Sequence, residues 1–230
     1  MRSLVLLPGF MCDADLWTDM VPGLGPLGTL HFGNVYEDDS LEGMARRVLV
    51  EAPERFVLVG FSMGGFVARV LTLMAPERVA GVAFVASSAR GYSDEERTRR
   101  ISGYRPGDRP PRAAGAVSNA MGLHPDRDTD PVLLDRLRGM QRRLGPEVRK
   151  RQAALVRRDG YADLERITCP SLVVACRQDR LRTFAETERM AQALPNSSFS
   201  VLEDCGHMAP LEKPHELSAL LAAWIGRANL

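Results

Sequence analysis

Six short apolar runs punctuate the chain, most of them closing on glycine or another small or polar residue and separated by longer stretches with helical spacing. They are Leu4–Leu7, Thr29–Phe32, Phe56–Val59, Val79–Val85, Ser171–Cys176 and Ser198–Leu202, the second being the least apolar. A run that is apolar at both odd and even positions has no face to give to water. Strands of this kind belong in a parallel sheet covered by helices on both sides. The intervening patterns predict helices over Leu41–Glu51, Met63–Met74, Phe184–Leu194 and His215–Gly226. In the last, Leu217, Leu220, Leu221 and Trp224 fall on one face behind Pro214 at the helix start. Repeated β-α units of this length define a doubly wound α/β fold, expected here with about six mainly parallel strands.

The alternation fails once. Between Gly91 and about Arg166 there is no good strand, only helical pieces broken by proline and glycine. Pro131–Leu144 and Pro146–Arg158 each start with proline, which suits a first helical turn, and Tyr104–Arg112 (YRPGDRPPR) reads as a loop. An insertion between two strands of such a sheet sits over its carboxyl edge, where ligands bind. The expected division is therefore a core of residues 1–90 and 167–230 with a helical cap of residues 91–166.

Chain length is enough for one domain carrying such an insertion. The net charge of +1 offers no general attraction to nucleic acid or a membrane surface, and neither is an expected partner. Charge is uneven, however: residues 90–160 hold 17 Lys and Arg against 10 Asp and Glu, a local +7. That excess is either a solvated arginine-rich surface or a positive field favouring acidic substrates. The four cysteines lack metal-type pairing, and the apolar run before Pro8-Gly9 is too short for a signal peptide, so a soluble cytoplasmic protein with reduced thiols is expected.

The most specific segment is Val57-Leu58-Val59-Gly60-Phe61-Ser62-Met63-Gly64-Gly65. A buried strand runs into G-x-S-x-G and directly on into a helix. Such a reversal holds the central serine in a strained conformation with its hydroxyl presented outward, and positions 60 and 64 must be small for backbones to approach. The helix start adds N–H groups and a positive dipole end beside the serine. A serine hydroxyl is a weak nucleophile without a base and a group to orient that base.

Four histidines are available. His31 lies on a weak strand far upstream, His124 lies in the proposed cap where it could line a pocket, and His215 opens an amphipathic helix. His207 follows the last strand in Glu203-Asp204-Cys205-Gly206-His207-Met208, at a carboxyl edge, with Gly206 expected to allow the turn back over Ser62. Asp179 follows the strand Ser171–Cys176 at the same edge, and the order Ser62, Asp179, His207 is the one this fold requires. Glu203 and Asp204 are rivals for the acid, but lie too close to His207 in sequence to match it as well. For an oxyanion hole, Met63 supplies the N–H after the nucleophile, and the loop Pro8-Gly9-Phe10-Met11 supplies that of Phe10, with Gly9 giving the bend. Met121, Leu123, His124 and Met140 are candidates for a pocket lining, though such residues at helical spacing are more often core.

These segments resemble the α/β-hydrolase superfamily nearly end to end. Leu6–Phe10 is similar to its oxyanion loop, Gly60–Gly65 to its elbow, and Leu172–Asp179 and Glu203–Pro214 (EDCGHMAPLEKP) to its acid and histidine segments. The likeness is closest to small bacterial esterases of the pimeloyl-carrier methyl-ester esterase and meta-cleavage-product hydrolase groups. Pro8 stands where the family usually has histidine, and Cys176 where it usually has glycine. The chain starts at what would be the family's third strand, as in small plant methyl esterases. Serine at position 62 speaks against epoxide hydrolases and haloalkane dehalogenases, which use aspartate there.

The resemblance implies a serine hydrolase with no cofactor and no metal, acting on a small-molecule carboxylic ester through an acyl-enzyme. Lactone, thioester or C–C bond hydrolysis and peracid formation are alternatives on the same residues. A non-catalytic ligand-binding protein that retains the triad is the alternative of another class. The sequence leaves the oligomeric state, the acyl group and the alcohol open.

Overall fold

A computed structural model describes residues 2–96, 98 and 122–230. Six strands form one sheet: β1 (Ser3–Leu7), β2 (Thr29–Phe32), β3 (Phe56–Phe61), β4 (Val79–Val85), β5 (Ser171–Cys176) and β6 (Ser197–Leu202). Their spatial order is β2-β1-β3-β4-β5-β6, and every pair is parallel. The chain therefore leaves β1 toward one edge for β2 and returns to the other side for β3. That reversal makes the carboxyl ends of β1 and β3 a topological switch point, where open α/β sheets hold their ligands.

Alternation along the central strands splits their side chains between two cores. Val57, Val59 and Phe61 of β3 join Trp17, Leu172, Val174 and Trp224 on one face. Phe56 and Leu58 join Met44, Phe66, Val82, Phe84 and Val173 on the other. The second face is covered by α1 (Leu41–Glu51), α2 (Met63–Met74) and, later in the chain, a helix over Phe184–Ala193. Edge strand β2 is half exposed, with Phe32 at 43%. Its missing apolar character in the sequence is that of a strand with one neighbour.

Between β4 and β5 the described residues carry no strand, but one long helix, α3 (Pro131–Ala154). It breaks at Gly145 (φ 75°, ψ 179°), so the two helices expected on either side of Pro146 are joined end to end, and the second stops four residues before Arg158. Asp130 caps the start through Val132 and Leu133 N–H. Arginines fix this helix to the core: Arg136 pairs with Asp15 and Asp19, and Arg143 with Asp13 and Asp15. The expected loop Tyr104–Arg112 and Met121 lie outside the described residues. Two further long helices are α4 (Phe184–Ala193), opened by a capping box between Thr183 and Glu186, and α5 (Pro214–Arg227).

Candidate active site

Ser62 stands between β3 and α2 with φ 50° and ψ −110°. For a residue with a Cβ this region costs about 1–3 kcal/mol and must be held by its surroundings. Here Ser62 N–H donates to Val85 O at 2.9 Å, and Ser62 O accepts from Ser87 Oγ at 2.9 Å and Gly65 N–H at 3.1 Å. The glycines are needed for space. A Cβ on Gly64 would lie 2.3 Å from Leu7 O, and one on Gly60 would lie 2.6 Å from Gly64 O. A bare Gly64 lets the loop after β1 approach the helix start, and a bare Gly60 lets α2 fold back against the end of β3.

The three expected side chains meet. His207 Nε2 lies 2.8 Å from Ser62 Oγ, and His207 Nδ1 lies 2.7 Å from Asp179 Oδ2. All three residues are buried. A carboxylate only accepts, so the ring proton belongs on Nδ1 and Nε2 is left to accept from the Ser62 hydroxyl. The imidazole also packs against the Phe61 ring, with centroids 5.2 Å apart. Asp179 is itself held: its Oδ1 accepts Leu181 N–H at 2.7 Å and Arg182 N–H at 2.8 Å. Acid and histidine loops are stitched together by Gln178 N–H to Cys205 O and Cys205 N–H to Gln178 Oε1.

The rival acids are engaged elsewhere. Glu203 pairs with Arg177, and Asp204 with Lys213 and Arg127, which hold both carboxyls below the usual range. His124 is buried, with Nδ1 accepting Asp126 N–H and Nε2 3.4 Å from Asp204, so it braces the histidine loop from behind. Gly206 has a different role from the one expected. The left-handed residue of that loop is Asp204 (φ 47°). Gly206 is required because a Cβ there would lie 2.2 Å from His124 N.

Gly9 lies so close to this turn that a Cβ would be 2.8 Å from the Phe61 ring and 3.4 Å from Ser62 Cβ. The segment carrying Phe10 is thereby pressed against Ser62. Met63 opens α2, and its N–H is one of the four that a helix start leaves without an intrahelical acceptor. The positive φ of the loop after β1 falls on Met11 (54°), not on Gly9, at a cost of about 1–2 kcal/mol for a side-chain-bearing residue. Met11 N–H donates to Gln152 Oε1 of α3 at 2.8 Å. Leu123 and Met140 are buried in the core, as their spacing allowed.

Two contributors escaped the sequence reading, Ser87 and Gln152. Their signals were a serine pair closing an apolar strand, and a glutamine in the stripe Val148, Gln152, Leu155. Cys176 and Cys205 are buried beside Asp179 and His207; the neighbouring Cys205 and burial hold the Cys176 thiol well above its ordinary range. Among the described residues no cluster of three or more His, Cys, Asp or Glu is placed to hold a metal ion. No helix among them is long and apolar enough to cross a membrane.

Comparison with known proteins agrees with this architecture. Over 95 residues the chain is 42% identical to a pimeloyl-[acyl-carrier protein] methyl ester esterase of Edwardsiella ictaluri, a match covering 38% of this chain and 37% of that protein. The match therefore spans little more than a third of the length of this curated relative. Among solved structures, a thermophilic esterase from Thermogutta terrifontis superposes with TM-score 0.82 at 24% identity, covering 100% of this chain and 91% of the other. The enol-lactonase from Burkholderia xenovorans LB400 superposes with TM-score 0.83 at 20% identity, covering 98% and 91%. At such identities the likeness bears on the fold. The family model of the alpha/beta hydrolases matches residues 4–220, and the chain belongs to that family.

Proposed function

We propose that this chain is a serine esterase that cleaves a small-molecule carboxylic ester through an acyl-enzyme. The observation that carries the reading is the unbroken hydrogen-bonded line from Ser62 Oγ through His207 to Asp179, at 2.8 and 2.7 Å. In this mechanism His207 Nε2 takes the Ser62 proton as Oγ attacks the ester carbonyl. Asp179 stabilises the imidazolium, and the N–H groups of Phe10 and Met63 receive the developing oxyanion. His207 returns the proton to the departing alcohol. A water, deprotonated by the same nitrogen, then releases the acid and restores Ser62.

Residues 91–166 form the cap in this reading, which the arginine pairs from α3 to Asp13, Asp15 and Asp19 support. The name of the curated relatives, methyl ester esterases, supports a small alcohol as leaving group. Four free thiols support a reducing compartment, the cytoplasm.

The test is a panel of p-nitrophenyl esters of increasing acyl length, with lactones and an ester bearing a distal carboxylate beside them. Saturable ester hydrolysis that Ser62→Ala abolishes is expected. A folded protein that hydrolyses none of them, or a Ser62→Ala variant as active as wild type, would overturn the proposal. Preference for the acidic ester would support a positive field from the cap arginines.

A further inference from the structure

We infer that Gln152 is a positioning residue for the oxyanion hole, and that through it the seating of α3 governs the geometry of that hole. The inference rests on the esterase reading above and adds a residue to it. The loop Gly9-Phe10-Met11-Cys12 closes as a four-residue turn, with Cys12 N–H donating to Gly9 O at 3.2 Å. Its third residue, Met11, has φ 54°, the left-handed value that a type II turn demands and that glycine or asparagine ordinarily supplies. Rotating the Phe10–Met11 peptide would relieve the strain by converting the turn to type I. It would also swing Met11 N–H away from its acceptor.

That acceptor is Gln152 Oε1, 2.8 Å away, on a side chain only 1% exposed. The amide cannot simply turn over, because Nε2 donates to Val35 O at 3.1 Å. Reversal would place an NH2 against Met11 N–H and an oxygen against a carbonyl. Gln152 thus bridges two core loops from α3 and holds the peptide next to the proposed Phe10 donor in its strained orientation. Its neighbours seat the same end of the helix: Arg151 Nε donates to Tyr36 O at 3.0 Å, and the Arg149 guanidinium lies 5.9 Å over the Phe10 ring.

Gln152→Leu removes both bonds with little change in volume. We would measure kcat and KM on a p-nitrophenyl ester, the Ki of an alkyl trifluoromethyl ketone that adds to the nucleophile as a tetrahedral oxyanion, and Tm. Deleting an oxyanion donor outright costs about 10²–10³ in kcat, and a displaced donor less. The expected result is kcat lowered about tenfold or more, KM within about threefold, and Ki raised by a factor close to that in kcat. Met11→Gly added to Gln152→Leu should recover much of the lost kcat, since glycine takes positive φ unaided.

A folded Gln152→Leu protein with kcat and Ki within about twofold of wild type, whatever its Tm, would overturn the inference. So would a double variant no more active than Gln152→Leu alone. If Gln152→Leu does not fold, Gln152→Met, which also removes both bonds and is more flexible, takes its place, with the same rise in Ki expected and a Ki within about twofold of wild type overturning the inference. Wild-type protein without esterase turnover would overturn the esterase reading and this inference with it. Turnover that Gln152→Leu leaves intact overturns this inference alone.

Discussion

Asp179→Asn tests how the two carboxylate oxygens share their tasks. Oδ2 faces His207 Nδ1 at 2.7 Å, while Oδ1 accepts Leu181 N–H and Arg182 N–H at 2.7 and 2.8 Å. Asparagine has one acceptor and one NH2 and must choose between these partners. With its oxygen toward the loop, both backbone bonds survive and the NH2 faces the imidazole. Reversed, two backbone donors face an NH2. A hydrogen bond contributes about 1 kcal/mol net and an orphaned buried donor costs about 1–3 kcal/mol, so the first orientation wins. The NH2 then donates to Nδ1, the ring proton moves to Nε2, and Ser62 Oγ meets a donor instead of a base. The same tautomer error in an unrelated serine protease is worth about 10⁴ in kcat, roughly 5 kcal/mol of barrier.

We expect Asp179→Asn to lower ester kcat by about 10³–10⁴, because the tautomer is wrong, with Tm within about 2 °C of wild type, because the loop bonds remain. Asp179→Ala should lose both activity and stability. Steady-state turnover and calorimetry on the two variants separate the cases. Asp179→Asn retaining more than about a tenth of wild-type kcat would refute the reasoning, as would an equal loss in Glu203→Gln or Asp204→Asn.

Gly64→Ala places a Cβ against the backbone oxygens of Leu7 and Pro8 at 2.3 and 2.7 Å, so backbone must move. A stability loss of about 1–3 kcal/mol or more in denaturant unfolding is expected, with reduced activity from a displaced Met63 N–H; an unchanged midpoint would contradict it. Burial works to raise the Asp13 carboxyl, but Arg143 and Asp15 N–H together hold it below its ordinary range. A depressed folded value means that its contribution to stability is present above the unfolded pKa and lost as pH falls through the folded one. The stability difference between wild type and Asp13→Asn should therefore be constant near neutral pH and shrink progressively as pH falls below about 4. A difference unchanged between about pH 7 and about pH 2 would count against it. Burial pushes the thiols of Cys12 and Cys169 up to about 12 and about 11, and Cys205 with burial raises Cys176. Ellman's reagent should label the buried Cys12 and Cys176 slowly in folded protein and promptly in guanidinium; prompt labelling of either without denaturant would contradict the burial.

Much of the sheet was legible because its central strands are apolar at every position, which leaves few alternatives. Val79–Val85 and Ser171–Cys176 match residue for residue. The first serine-flanking segment was legible for a related reason: a strand, a tight turn and a helix compressed into nine residues admit few side chains. Long-range packing was not. Gly206 reads as a turn residue, yet what requires it is the backbone of His124, 82 positions away in sequence and close only in space. Gln152 reads as one more polar residue on an arginine-rich helix until its two partners, Met11 and Val35, are seen beneath it. Pairwise contacts between distant loops leave no periodic trace in the chain, so the side chains that brace the site from far along the sequence are apparent only in the folded molecule.

The most direct measurement of the central claim is covalent. A fluorophosphonate phosphonylates a serine only when a base activates it and an oxyanion site receives the phosphoryl oxygen. Incubation with wild-type protein should add one adduct mass, mapping by peptide mass spectrometry to the fragment that carries Ser62. His207→Ala should remain unlabelled under the same conditions while keeping its fold. Wild-type protein that stays unlabelled, or a His207→Ala variant labelled at the wild-type rate, would contradict the account.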